Sequence, residues 1–390
     1  MKILIVIPYF YPSLSFGGPV KVAFEEAKEL VRRGHEVVVF ASDAENMDDR
    51  LSVKTDVVEG IQVYYFKNLS MKLVRWSKLF ITPDLGKKMK KELKSFDVIH
   101  AHEYTTYQNI IVHKYAKKFG VPYILEVHGS LPKFGRVIRK FVFDFVFGNF
   151  ILKDASKVVA LSTTEAEQYK ANGVPADKIE IIPNGLNVSD YADAGKKGFF
   201  AKTFGLSEGT KIILYLGRIH KTKGLDCLIR AYAQTLKQGG DTKLVIAGPD
   251  DGYLFEIQSL AKSLGVYDAI VFTGFLSEND KIAALSDATV FVTPSFYGFP
   301  MTFLEACAVG TPIVTTTLGD PLEWIDNNVG YVSSPKPEDL ANAINKILLQ
   351  KDIREKFSKN GKRLVASEFS VTQMVDRFEH IFRETIHGSS

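Results

Sequence analysis

Short apolar, β-branched runs alternate with helical patterns along almost the whole chain, and this alternation restricts the fold more than any other feature. In the first half the runs are Lys2 to Pro8, Glu36 to Ala41, Asp97 to Ala101, Tyr123 to Val127, Lys157 to Leu161 and Ile179 to Ile182. Helical patterns fall between them, notably Pro19 to Arg33, Pro83 to Leu93, Tyr107 to Phe119 and Thr164 to Asn172. Strands that read as continuous apolar runs and alternate with helices belong to mainly parallel sheets covered on both faces. A stretch of Gly, Lys, Asp and Ala from Asp190 to Lys197 interrupts the pattern. It restarts with Lys211 to Leu216, Lys243 to Ala247, Ala269 to Thr273, Thr289 to Val292 and Pro312 to Thr315, then turns helical over Leu340 to Leu349, Ile353 to Val365 and Val371 to Ile386. The economical α/β architecture is two doubly wound, Rossmann-like domains facing each other across a cleft. The boundaries follow as residues 1–190, a linker 191–210, a second domain 211–368 and a terminal helix within 369–390.

Composition excludes several classes. Hydrophobic content of 46% and charged content of 24% are those of an ordinary globular protein. Two cysteines, Cys227 and Cys307, can build neither a disulfide framework nor a tetrahedral zinc site, so reduced thiols and a cytoplasmic location are expected. Met1 to Pro8 is too short for a secretory apolar core and reads as a first strand. Phe141 to Leu152 is interrupted by Asp144 and Asn149 and falls short of the ~18 apolar residues that span a bilayer. The charge is uneven: residues 60–157 carry 18 Lys/Arg against 7 Asp/Glu, an excess of 18 − 7 = +11 within a chain of net charge +4. That basic face suits an anionic membrane surface or a phosphorylated acceptor, or is simply solvated. Nucleic acid is not expected, because the basic residues do not interleave with aromatics in any binding module.

The chemistry concentrates where strands give way to helices. Pro294 to Pro312 follows the run Ala288 to Thr293 as a loop and then a helix N-terminus, where the amides of Met301 and Thr302 favour an anion such as a diphosphate. Glu305, further into that helix, can accept hydrogen bonds from a ribose diol; the plainer alternative is a carboxylate near a helix start. Gly217 ends the strand Lys211 to Leu216, and Arg218 and Lys223 follow on the loop, where a rigid fork and a mobile point charge can reach one pyrophosphate. Phe275, beyond the run Ala269 to Thr273, joins the donor-binding candidates. Gly17 and Gly18 precede Pro19 at the start of the first helix and read either as a phosphate-contacting loop or as a tight turn. His128, beside Gly129 at the end of Tyr123 to Val127, is the better catalytic candidate; His102 reads first as a structural histidine. Asp250 and Asp251, between Pro249 and Gly252, read as a turn. No D-x-D triplet, His/Cys cluster with metal spacing, G-x-G triplet or G-x-S-x-G turn occurs in the sequence, so no catalytic metal, nicotinamide or covalent serine chemistry is expected. Lys133 to Lys153 sets Arg136, Arg139 and Lys140 ahead of five phenylalanines. It reads as a lipid-docking helix or a buried one, and apolar residues on nearly every side favour burial.

Together these residues resemble the retaining glycosyltransferases of family 4, which have the GT-B fold. The resemblance runs from the Gly17-Gly18 loop through His128-Gly129, Pro183-Asn184-Gly185 and Gly217-Arg218 to Lys223-Gly224, and on to Gly298-Phe299 and Glu305. It implies that Arg218 and Lys223 hold the donor diphosphate, that Glu305 binds the ribose, and that the amides of Met301 and Thr302 help hold the donor. Gly18 would approach the phosphates and His128 would line the site of transfer. The final helix, Val371 to Ile386, would cross back to the first domain. Two departures stand out: the family's first glutamate is missing, Tyr297 occupying its spacing before Gly298, and Asn187 stands where the family often has Asp. The expectation is a metal-independent transferase, without cofactor, moving a sugar from a nucleotide diphosphate, UDP before GDP or ADP, to a glycan or lipid-linked acceptor at the inner face of the membrane. The rivals are a sugar-nucleotide epimerase or phosphorylase of the same plan, and a degenerate sugar-nucleotide-binding subunit.

Overall fold

A computed structural model describes residues 1–131, 141–192, 197–239, 241–320 and 322–388. The chain divides into two compact units, Met1–Gly185 together with Val371–Ser390, and Leu186–Ser370.

The first unit is built on an eight-stranded sheet of β1 (Lys2–Val6), β2 (Glu36–Ser42), β3 (Thr55–Val58), β4 (Ile61–Phe66), β5 (Val98–His102), β6 (Tyr123–Glu126), β7 (Lys157–Ala160) and β8 (Ile179–Ile181). Their order is β3-β4-β2-β1-β5-β6-β7-β8. Every pairing is parallel except β3 with β4, an antiparallel edge hairpin that periodicity did not reveal. Ile3, Leu4, Ile5 and Val6 of β1 are all buried, as a strand covered on both faces requires. The order reverses between β1 and β5, and the helix Gly18–Arg32 starts beyond the carboxyl end of β1.

The helix Val371–His387 belongs to this unit and packs against the helix Gly18–Arg32 and against β5. Phe378 and Phe382 lie on the ring of His100, with centroids 4.7 and 5.7 Å away. Arg33 clamps the outer edge, bonding Glu29 at 2.9 Å, Asp376 at 2.6 Å and Glu379 at 2.7 Å.

The second unit carries a six-stranded, wholly parallel sheet of β9 (Lys211–Leu216), β10 (Thr242–Ala247), β11 (Ile270–Gly274), β12 (Val290–Phe296), β13 (Ile313–Gly319) and β14 (Gly330–Ser333), in the order β11-β10-β9-β12-β13-β14. The short strand β14 was not expected. β12 also runs further than its sequence suggests: it continues through Pro294 to Phe296, with an irregular register against β13 between Thr293 and Ser295. A proline lacks the ladder N–H, and a bulge is where a strand accommodates one. The stretch expected as linker contains a short helix, Phe199–Thr203, tied to Asp287 through the amides of Gly198 and Ala201.

Candidate active site

In the second sheet the strand order reverses between β9 and β12, so the loops leaving these two strands flank a topological switch point, the place where open α/β sheets bind ligands. The loop after β9 is drawn close to the loop after β10. Gly217 N–H donates to Ala247 O at 3.0 Å, and a Cβ on Gly248 would stand 1.9 Å from Gly217 O, so only glycine fits at 248, where φ is +146°. Tyr215 Oη donates to the Arg218 carbonyl at 3.0 Å and fixes the start of the loop. The Arg218 side chain is 58% exposed and pairs with Asp251. Asp250 holds the adjoining turn by accepting from the amides of Gly252, Tyr253 and Leu254. Lys223 ends a 3-10 turn, Lys221–Lys223, that packs against the end of β12. It is half-buried, and burial first, then the Arg218 charge, hold its ammonium below the usual lysine range.

Across the switch point, the loop Tyr297–Pro300 leads into the helix Met301–Val309, which Pro300 precedes and no side chain caps. Its first amides, Met301 and Thr302, are therefore those a helix leaves without internal partners. Gly298 N–H is held by Asp320 at 2.6 Å, and Tyr297 is exposed. Glu305 is buried on this helix, with Oε1 accepting from Lys281 Nζ at 2.8 Å and Tyr191 Oη at 3.1 Å. Tyr191 lies on a 3-10 turn, Val188–Tyr191, that begins after Asn187, whose side-chain amide bonds Asp190 at 3.0 Å. Neither Lys281 nor Tyr191 carries any sequence signal for this role. Phe275 follows the edge strand β11 and is 78% exposed, away from the β9–β12 switch point in the strand order.

In the first unit Gly17 sits at φ +91°, ψ −150°, a conformation that side chains exclude, and ends a 3-10 turn, Leu14–Phe16. Gly18 and Pro19 then open a helix with no side-chain cap. His128 also has positive φ, +51°, and its ring points inward. Its Nε2 lies 2.9 Å from His102 Nδ1 and its Nδ1 3.1 Å from Glu126 Oε1, with only 4% of the side chain exposed. The adjoining Gly129 N–H donates to the buried Glu165 at 2.6 Å, and burial pushes that carboxyl up to about 7. His102 is fully buried, in keeping with its structural reading.

The family models divide the chain between them: "Glycosyltransferase Family 4" matches residues 16–190 and "Glycosyl transferases group 1" matches residues 196–364. The chain belongs to glycosyltransferase family 4. An uncharacterised glycosyltransferase of Methanocaldococcus jannaschii is 28% identical over 99% of this chain and 97% of its own length. Among solved structures, sucrose-phosphate synthase of Thermosynechococcus elongatus superposes with a TM-score of 0.80 at 21% identity, covering 100% of both chains. Anabaena HepE, solved with UDP and glucose, gives 0.77 at 19% identity over 98% of this chain and 100% of its own. These likenesses place the family 4 chain in the GT-B fold and make it a transferase enzyme. Among its described residues no helix is long and apolar enough to cross a membrane.

One expectation for this glycosyltransferase is overturned. Of the segment Lys133 to Lys153, Arg136, Arg139 and Lys140 lie outside the described residues. The remainder is not the buried helix expected: Phe141, Val142, Phe145, Val146, Phe147 and Phe150 are exposed, Phe145 to 74%. Apolar residues crowd all sides of this helical stretch, and only Gly148, Ile151 and Leu152 of residues 141–152 are buried.

Proposed function

We propose that the chain transfers a sugar from a UDP-sugar to a glycan or lipid-linked acceptor, with retention at the anomeric carbon and without a metal ion at the diphosphate. The observation that carries this is the loop at the β9–β12 switch point: Lys223, half-buried with its ammonium pushed below its ordinary pKa, lies on the loop of Arg218 opposite an uncapped helix start. A partly desolvated ammonium is costly unless an anion joins it, and two cations with helix amides match the charge of a diphosphate. The C–O bond between the sugar and the diphosphate breaks as the acceptor oxygen bonds to the same face of the anomeric carbon. The leaving diphosphate carries away the electron pair and takes the acceptor's proton. Arg218 and Lys223 stabilise the charge developing on that diphosphate.

Glu305, positioned by Lys281 and Tyr191, is our ribose-binding residue, and the amides of Met301 and Thr302 assist with the donor. Gly18 and His128 keep the roles that the family resemblance implies, and Gly17, Gly217 and Phe275 remain donor-binding candidates. The UDP of the HepE complex supports uracil as the base. The exposed phenylalanines from Phe141 to Phe150, within the basic stretch of the sequence, support an acceptor at an anionic membrane surface.

Arg218→Ala and Lys223→Ala should each lower kcat by about 10²-fold or more, since one lost electrostatic contact to developing charge has that effect. Unchanged turnover in the double variant would refute the mechanism. Tyr297 at the spacing of the family's first glutamate favours one other reading, a chain that binds the donor without transferring it. Donor binding with neither hydrolysis nor transfer over a broad acceptor panel would support that reading.

A further inference from the structure

Beneath the helix Gly18–Arg32, four side chains that are far apart in sequence converge inside the first unit. Glu26 comes from that helix, His100 and His102 from β5, and Glu126 from the end of β6. His100 and His102 are two residues apart in a strand and so share a face, while His102 and Glu126 are register partners across β5 and β6. All four are 0–1% exposed, and one ligand atom from each lies within 4.8 Å of the others.

The hydrogen bonding divides each residue into a satisfied end and an unsatisfied one. Glu26 Oε1 bonds His100 Nδ1 at 2.8 Å, His102 Nδ1 bonds His128 Nε2 at 2.9 Å, and Glu126 Oε1 pairs with His128 Nδ1 at 3.1 Å. The opposite atoms, Glu26 Oε2, His100 Nε2, His102 Nε2 and Glu126 Oε2, are buried without any hydrogen-bond partner. They approach in two pairs: His100 Nε2 is 3.4 Å from Glu126 Oε2, and His102 Nε2 is 3.8 Å from Glu26 Oε2, while Glu126 Oε2 also lies 3.8 Å from His102 Nδ1. Four unsatisfied buried atoms in one place are costly unless something completes them. Ligands held about 2.1 Å from a tetrahedral ion are spaced about 3.4 Å apart, so ligand atoms that lie up to 4.8 Å from one another must draw together around the ion.

We infer that Glu26, His100, His102 and Glu126 form a site for one divalent transition-metal ion of the zinc type. Two carboxylates and two neutral imidazoles balance a double positive charge, removing the uncompensated charge that burial penalises. The outer hydrogen bonds give a consistent proton assignment. His100 Nδ1–H donates to Glu26 and His102 Nδ1–H donates to His128, which leaves both Nε2 lone pairs for the ion; Glu26, on the Nδ1 side of His100, must leave that hydrogen bond to reach an ion held on Nε2. Four protein ligands leave no open position, so the ion is structural. It ties the helix Gly18–Arg32 to β5 and β6, and through His102 it fixes the tautomer of His128. The ligands come from three separate elements, which is why no local spacing discloses them. The site is independent of the diphosphate chemistry assigned to the second unit.

The test uses the full-length protein, stripped under mild chelation and titrated with Co(II) and Zn(II). The expected result is one equivalent of either ion per chain by elemental analysis, the visible bands of four-coordinate Co(II), and a rise in Tm on adding Zn(II). Glu26→Gln keeps an acceptor for His100 but loses the charge and should weaken Co(II) affinity at least tenfold. Glu126→Gln should do the same and serves as the second variant should the first fail to fold. If a proton on His100 balances the carboxylates instead, no stoichiometric ion, no Co(II) bands and no Tm change will be found, and the inference is overturned. Binding that is equally tight in both variants overturns it too, since the ion then lies elsewhere.

Discussion

Lys281→Met removes a cation 2.8 Å from Glu305 Oε1, and Glu305 is only 2% exposed. Stripping one partner from a buried ion pair typically costs about 3–5 kcal/mol, because the remaining charge stays desolvated. Two features reduce that figure here: the Tyr191 hydroxyl remains 3.1 Å away as a donor, and the Lys281 side chain is itself 17% exposed. The cost should therefore be about 2–4 kcal/mol, or a fall in Tm of roughly 4–16 °C for a unit of this size. Urea and thermal unfolding of Lys281→Met, Glu305→Gln and the double variant measure it. In the Glu305→Gln background no charge is left stranded, so Lys281→Met should cost far less, with a coupling energy of about 1.5–3 kcal/mol. A Lys281→Met protein within ~0.5 kcal/mol of wild type, or strict additivity in the cycle, would refute the claim that this lysine holds the Glu305 carboxylate, proposed above to bind the ribose.

Three further outcomes follow from the geometry. Gly248→Ala brings a Cβ to 1.9 Å from Gly217 O at φ +146°, so it should destabilise the second unit by about 2–4 kcal/mol in urea unfolding and weaken UDP binding with it. The docking of the C-terminal helix should loosen in acid. Hydrogen bonds from Arg32, and then Arg33, keep Glu29 below the usual carboxylate range; at Glu379 burial pushes upward, but hydrogen bonds from His35 and Arg33 outweigh it. Depressed carboxyls lend stability that is complete above about pH 4.3 and lost as pH falls through their folded values, so the hydrogen-exchange protection factors of residues 371–387 should fall on acidification, and Arg33→Ala should reduce that pH dependence in part, since Arg32 still holds Glu29 and His35 still holds Glu379. Phe145→Asp with Phe150→Asp should eliminate binding to anionic liposomes at low salt while leaving Tm within about 2 °C, since both rings are exposed.

The sheets were legible because parallel strands buried on both faces must be apolar throughout, as β1 and β9 are. The hairpin of β3 and β4 escaped notice because an edge strand is not so constrained: Thr55, Asp56 and Val57 are exposed. The end of β12 was misjudged because Pro294 reads as a strand terminator, and only the irregular register with β13 shows how the ladder passes it. At the β9–β12 edge, Arg218, Lys223 and Glu305 could be singled out as donor-site candidates from their places at strand ends and a helix start. Their partners Asp251, Lys281 and Tyr191 could not, because tertiary packing brings them there from loops and helices without any motif. The inward turn of His128 was hidden for the same reason. Nothing in Tyr123 to Gly129 tells that His102 and Glu126 take both of its ring nitrogens.

The most direct test of the central claim is a thermal-shift titration of wild-type protein and Lys223→Ala with UDP, in the presence of a chelator, with GDP and ADP alongside. At a hundred times its dissociation constant, a ligand stabilises the fold by about 2.7 kcal/mol. For wild type this corresponds to a Tm rise of roughly 5–11 °C with UDP, and the rise should be largely lost in Lys223→Ala. No shift with UDP in the wild-type protein, or an equal shift in the variant, would contradict the assignment of the β9–β12 edge as the donor site.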